Sequence, residues 1–119
     1  MKMPPAPGEL KKATEPSSLF KRVMELDLAG VRFVVRRMTL AEELEWYAER
    51  DRVMSEDGLS HVEKVVKAWE GLLHRVVVEP RLTSYVDELP TPVIAALIQA
   101  ITDLHLWNMG FHTSPQASG

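Results

Sequence analysis

The stretch 60–76 constrains the fold most, because it joins a helix start signal to a long apolar stripe. Ser60 and Glu63 form a capping box, in which each side chain accepts a hydrogen bond from the other residue's backbone amide. Apolar side chains then recur at helical spacing, at Val62, Val65, Val66, Trp69, Leu72, Leu73 and Val76. This pattern predicts a helix over about 61–78, buried along the stripe, which ends just before Pro80.

A second capping box, formed by Thr39 and Glu42, opens a predicted helix over about 40–54. We expect its core-facing positions to be Leu40, Leu44, Tyr47, Ala48 and Met54. Trp46 and Val53 stand seven residues apart on a separate stripe, off the main apolar line. The helix therefore carries two candidate contact faces.

The last apolar helix follows Thr91-Pro92, a capping residue with proline at the first helical position, where the missing amide has no intrahelical partner to lose. Apolar side chains recur at Val93, Ile94, Leu97, Ile98, Ile101 and Leu104. The spacing predicts a buried helix over about 92–108, with Gly110 as its terminator. The preceding linker, 81–90, has room for a short fourth helix.

Alternating side chains over about 23–38 predict a β-hairpin. A two-residue turn at Ala29-Gly30 would pair Leu28 with Val31, Leu26 with Phe33, Met24 with Val35, and Asp27 with Arg32. Ala-Gly is not the preferred pair for such a turn, so a wider loop stays open as an alternative. A lone hairpin is marginal in water and must pack on other elements.

These elements predict a mainly α, α+β fold, with the N-terminal hairpin packed on a bundle of three main helices. We expect a single folded domain over 20–111, because 119 residues fit one domain and 45% of them are hydrophobic. Residues 1–19 are rich in proline and predict a flexible basic arm. Residues 112–119 are small or polar and predict a flexible tail.

Composition argues against several classes of protein. A net charge of −3 disfavours a protein that neutralises many nucleic-acid phosphates. The longest apolar stretch, Val93–Ile98, is far shorter than the roughly 20 residues of a membrane span. With no cysteine, the chain has no disulfide framework.

Residue spacing offers no recognisable catalytic, cofactor or metal site. The four histidines lack paired metal-ligand spacing, and no GxGxxG, Walker or GxSxG motif occurs. The glutamates of 42–49 are best interpreted as a solvated helix face. We therefore expect a non-enzymatic protein that works through its surface. The hypothesised partner-binding residues, of aromatic or aliphatic type, are Trp46, Val53, Leu106, Trp107 and Phe111.

The order of elements and short motifs over about 24–111 resembles that of the tail assembly chaperones of long-tailed, siphophage-type bacteriophages. The shared features are an Arg-rich strand, Met-Thr-Leu at 38–40, an acidic helix, Val-Val-Glu-Pro-Arg-Leu at 77–82, and Leu-Pro-Thr-Pro-Val at 89–93 opening an apolar helix.

The resemblance implies a chaperone that binds tape-measure and tail-tube subunits in the host cytoplasm, prevents premature assembly or aggregation, and is absent from the mature virion. Two alternatives stay open. One is a small helical virion or adaptor subunit that self-associates through the same surface. The other is a regulator that uses the basic arm on nucleic acid, whose binding would weaken steeply with salt.

Overall fold

The computed structural model describes residues 20–108 and has the predicted α+β architecture. Its elements in chain order are β1 (Val23–Leu28), β2 (Val31–Arg36), α1 (Leu40–Met54), α2 (His61–Val76), β3 (Val77–Glu79), α3 (Tyr85–Glu88) and α4 (Thr91–Leu104). The predicted arm and tail lie outside the described residues. The short α3 occupies the linker in which a fourth helix was expected.

Strands β1 and β2 pair in the predicted register, with Leu28 opposite Val31, Leu26 opposite Phe33, Met24 opposite Val35 and Asp27 opposite Arg32. The tight turn forms despite its unusual sequence. Ala29 and Gly30 both have positive φ, at 55° and 83°, which matches the twist of the strands. Asp27 Oδ1 accepts a hydrogen bond from the Gly30 amide at 3.1 Å and stabilises this turn.

The predicted end of the second main helix is wrong by two residues. Helix α2 stops at Val76, and Val77–Glu79 form a third strand that pairs antiparallel with β2. Consecutive valines favour extended backbone, and Pro80 disfavours helical geometry in the residue before it. Val77 thereby becomes a buried neighbour of Val35 in the sheet.

The predicted end of the last helix is also wrong. Helix α4 ends at Leu104, not near residue 108, and Leu106 adopts a left-handed φ of 61°. The Leu106 amide bonds to the Asp103 carbonyl at 3.1 Å, and the Trp107 amide to the Thr102 carbonyl at 3.0 Å. These two bonds define a Schellman motif, with leucine where glycine is usual. The chain turns here, before Gly110.

The core lies where the sheet, α2, α3 and α4 meet. Its most completely buried side chains are Tyr85, Leu73, Leu97, Ile101, Val35, Val76 and Val77. The predicted inner face of β1 packs against this core, through Met24, Leu26 and Leu28. The hairpin is thus stabilised by helices, as a two-stranded unit requires.

Helix α1 turns the opposite face to the protein interior from the one predicted. Trp46 and Val53 were predicted to face a partner, but they are buried, with exposed fractions of 7% and 3%. Leu40 and Leu44, placed in the core, are 73% and 55% exposed. Of the other predicted core positions, Ala48 is exposed, and Tyr47 and Met54 are half-buried.

Contacts with α2 accompany burial of the Trp46 face of α1. The Trp46 indole N–H donates to the carbonyl of Ala68 at 3.4 Å. A Cβ on Gly71 would stand only 3.0 Å from the Glu49 carboxylate, so glycine permits this close approach. Arg75 pairs with Glu49 at 2.6 Å. The indole hydrogen bond and the Glu49–Arg75 ion pair therefore hold the Trp46 side of α1 against α2.

Candidate interaction surface

An open apolar groove runs beside the N-terminal half of α2. We call it the α2 groove, and its apolar lining consists of Val62, Val66, Trp69, Val86, Ile94 and Ala95. It comprises two adjoining depressions of about 370 and 390 Å³, which share Val66, Val86 and Asp87. Each is at the small end of the size range of ligand pockets.

The prediction that the apolar stripe of α2 is buried along its whole length is wrong. Val62 and Trp69 are 69% and 39% exposed, whereas Leu72, Leu73 and Val76 near the other end are buried. Over its first half, α2 is faced on this side by the four residues of α3 and the start of α4. These short segments are too small to cover the stripe.

The wall opposite α2 is fastened by hydrogen bonds to Glu70. Its carboxylate accepts the backbone amides of Tyr85 and Val86, at 3.1 and 2.9 Å, and so caps the first turn of α3. It also pairs with His74 at 2.5 Å, and the His74 ring meets Tyr85 edge-on at 5.0 Å. These contacts hold Val86 across from Val66.

Tyr85 fixes the same wall from the core side. Its side chain is fully buried, and its hydroxyl donates to the Pro80 carbonyl at 2.9 Å. The hydroxyl also accepts the Leu82 amide at 3.3 Å. Because a buried tyrosine with both hydrogen-bonding roles filled has little freedom, α3 forms a rigid side of the groove.

The charged side chains that line the groove are mainly acidic. They are three carboxylates, from Glu63, Glu70 and Asp87, and one ammonium, from Lys67. Lys67 is itself paired with Glu56 at 3.2 Å. The groove therefore combines an apolar floor with a negatively charged rim.

A second feature, which we call the aromatic cluster, joins α1 to the segment after α4. Trp46 stacks on Trp107 with ring centroids 5.6 Å apart, and Trp107 stacks on His105 at 4.5 Å. Tyr47 packs at the edge, and the Arg50 guanidinium lies over both Trp46 and Tyr47, 5.2 and 5.1 Å from the ring centroids. The Schellman motif brings Trp107 into this position.

Glu43 supplies the polar contacts of the aromatic cluster. One of its carboxylate oxygens accepts the Trp107 indole N–H at 2.9 Å and the Tyr47 hydroxyl at 2.5 Å. Burial, followed by the Glu43 carboxylate, raises the pKa of Tyr47. The aromatic cluster is thus satisfied in its hydrogen bonds as well as packed.

His105 is held in one neutral form. Its Nδ1 lies 2.8 Å from the Ile101 carbonyl and must donate, while its Nε2 accepts the Met38 amide at 2.9 Å. Burial lowers the pKa of His105. The uncharged His105 ring therefore links α4 to the segment that leads into α1.

The hypothesised partner-binding residues do not form one exposed surface. Trp46 and Val53 are buried in this conformation, and Trp107 is half-buried against Trp46. Leu106 is half-buried and lines a separate depression of about 230 Å³ near Phe20. Phe111 lies outside the described residues.

Neither a candidate metal centre nor a membrane-spanning helix occurs among the described residues. Residues 20–108 hold no group of three or more metal-ligating side chains. None of the helices in this range is long and apolar enough to cross a membrane. No family model matches the chain, and no curated protein or solved structure is significantly similar to it.

Sequence reasoning missed the groove, although a signal was present. Ala68 widens the apolar arc of α2 beyond its single predicted stripe, and the Ala68 side of α2 packs on α1. An arc wider than one packing partner leaves apolar side chains without cover. Here these are Val62, Val66 and Trp69.

Proposed function

We propose that this protein is a non-enzymatic tail assembly chaperone of a long-tailed bacteriophage, which binds tape-measure and tail-tube subunits and prevents their premature assembly or aggregation. The observation that carries the proposal is the α2 groove, an exposed apolar strip with an acidic rim. Contiguous exposed apolar surface on a small domain is typical of a protein-binding site.

The motif order supports the proposal independently of the groove. The motif residues sit at element boundaries in this fold: Thr39 caps α1, Val77–Glu79 form β3, and Thr91 begins α4. Among them only Thr91 lines the groove. The motif residues define where helices and strands begin and end, whereas the groove is lined, apart from Thr91, by other residues. The motifs and the groove therefore support the proposal separately.

The physical properties of the groove suit a transient binder. A chaperone must hold apolar segments of a subunit and release them when the tail assembles. Apolar contacts supply non-directional attraction, and charges at the rim affect partner choice and association rate more than final affinity. The small size of both depressions limits the contact to a few side chains of the partner.

Co-expression tests this function. The tape-measure protein from the same genome is produced with and without this chain, and its soluble fraction is measured after centrifugation. We expect the soluble fraction to rise several-fold with the chain. An equal soluble fraction in both cultures would reject the chaperone function.

Particle composition separates the chaperone from a structural subunit. We expect purified phage particles to contain the tube and tape-measure proteins but not this chain. Its presence in stoichiometric amount would identify a virion subunit instead.

A further inference from the structure

We infer that the α2 groove receives a short amphipathic helix of the partner, which places its apolar face on the groove floor and basic side chains at the acidic rim. This inference rests on the proposed function for the identity of the partner. Its geometry rests on the groove alone.

The spacing of the exposed side chains sets the form of the ligand. Val62, Val66 and Trp69 follow one another at four and three residues along α2. They span about 10 Å at a helical rise of about 1.5 Å per residue. A helix laid alongside presents anchors at the same i, i+4, i+7 spacing over the same length.

The walls of the groove favour a helix over an extended strand. Its lining residues belong to α2, α3 and α4, apart from Ser84, which caps α3. Strand addition needs a sheet edge with unpaired backbone amides and carbonyls, and helices satisfy these groups internally. Side-chain contacts must therefore supply the binding energy, which is the way a helix docks in a groove.

The rim sets the charge of the ligand. Glu63 and Asp87 are exposed carboxylates at the rim. Glu70 is half-buried and bonded to α3, and the Lys67 ammonium pairs with Glu56. A complementary segment carries lysine or arginine beside its apolar face, because like charges would repel it. The rim thus selects a basic amphipathic helix over an acidic one.

The groove needs little rearrangement to bind. Glu70 and Tyr85 hold α3 in place, and α2 is closed by its own capping box at Ser60. A preformed site avoids the ordering penalty that a mobile one pays on binding. Trp69 is the natural anchor, since partly exposed tryptophans are frequent binding hot spots.

The test uses the full chain and two synthetic helices of about 18 residues, a length that supports helix formation in water. One is built from leucine and lysine, the other from leucine and glutamate, with identical leucine spacing. Affinity is measured by calorimetry at low and high salt. We expect the lysine helix to bind at least tenfold more tightly than the glutamate helix, with the preference shrinking in high salt.

Matched variants locate the site. Trp69→Ala should weaken binding of the lysine helix at least tenfold, and Val66→Gln at least threefold. Leu44→Gln changes a comparably exposed aliphatic residue on α1 and should leave binding unchanged within a factor of two. Glutamine is a good helix former, so both glutamine variants keep their helices; circular dichroism checks this.

The outcomes separate this inference from the proposed function. Equal binding of the two peptides, or a loss with Leu44→Gln but not with Val66→Gln, overturns the groove inference. A smaller oligomer in Val66→Gln than in the wild type also overturns it, because the groove would then bind a second copy of the chain. If the tape-measure protein stays soluble with Val66→Gln and Trp69→Ala, the chaperone function stands without the groove.

Discussion

The aromatic cluster and the α2 groove differ in what covers their tryptophans. In the aromatic cluster, Trp46 stacks on Trp107, and the two indole N–H groups donate to the Ala68 carbonyl and the Glu43 carboxylate. In the groove, Trp69 lines an open depression and is 39% exposed. The same residue type is therefore part of the packed interior at one site and accessible at the other.

An aromatic residue's position on its own helix therefore does not decide whether it is buried. Trp46 lies off the main apolar line of α1, yet it is buried, because Trp107 and α2 both reach it. Trp69 lies on the main apolar line of α2, yet it is exposed, because α3 is too short to cover it. The neighbouring element makes the choice.

The largest expected effect is on the buried side of the comparison. Trp46→Ala should lower the free energy of unfolding by about 3–5 kcal/mol, because it removes a large buried side chain together with its stacking contact to Trp107. Trp69→Ala should lower it by less, about 1.5–3 kcal/mol, since that residue is already 39% exposed to water. Urea denaturation of both variants measures the difference. Equal losses would show that the groove is part of the core.

Glu43 sharpens the comparison on the polar side. Glu43→Ala leaves the Trp107 N–H and the Tyr47 hydroxyl without their shared acceptor, which should lower the free energy of unfolding by about 1–2 kcal/mol. Glu45→Ala, at an exposed position on the same helix, should change it by less than about 0.5 kcal/mol. Denaturation curves compare the two, and similar values would contradict a structural role for Glu43.

Local signals explain which parts of the fold could be predicted. Apolar side chains such as Leu26, Leu28 and Phe33 stand at every second position of their strands, and this alternation determines the hairpin register. A shift of the pairing by one residue would turn the apolar side chains of a strand outward. The capping boxes at Thr39 and Ser60 place the starts of α1 and α2. In each case the residues that interact are close in sequence, so their pattern carries the structure.

Tertiary contacts explain the rest. Helix α1 carries a main apolar line and a second stripe, and contacts with Ala68 and Gly71 on α2 accompany burial of the Trp46 stripe. The end of α4 depends on Leu106 in a left-handed conformation, for which leucine gives no sequence signal. The α2 sequence shows a wide apolar arc, but how much of that arc is covered depends on the short length of α3.

Burial of His105 makes the stability of the aromatic cluster depend on pH. Because burial lowers its pKa in the folded state, the unfolded chain binds more protons below the usual histidine pKa of about 6.5. Stability should therefore fall as the pH drops from about 7.5 through that value. The neighbouring charges act in both directions, since Glu43 raises this pKa while Arg37 and Arg36 lower it.

The measurement is the unfolding midpoint in urea at about pH 7.5 and about pH 5.5. We expect the midpoint of the wild type to fall more than that of His105→Gln, which cannot titrate. We expect this decrease to be smaller than the effect of Trp46→Ala, because the ring keeps its packing. Parallel pH dependence in the two proteins would show that His105 is not the group responsible.

The smallest expected effect lies at the open end of the groove. Val62 is 69% exposed and is the second residue of α2. Val62→Asp places a negative charge beside the positive end of the helix dipole, which is slightly stabilising. It removes little buried apolar surface, which is slightly destabilising. The free energy of unfolding should change by less than about 0.5 kcal/mol by denaturation. A loss of several kcal/mol would mean that α2 is covered along its whole length, and the contrast between the aromatic cluster and the groove would disappear.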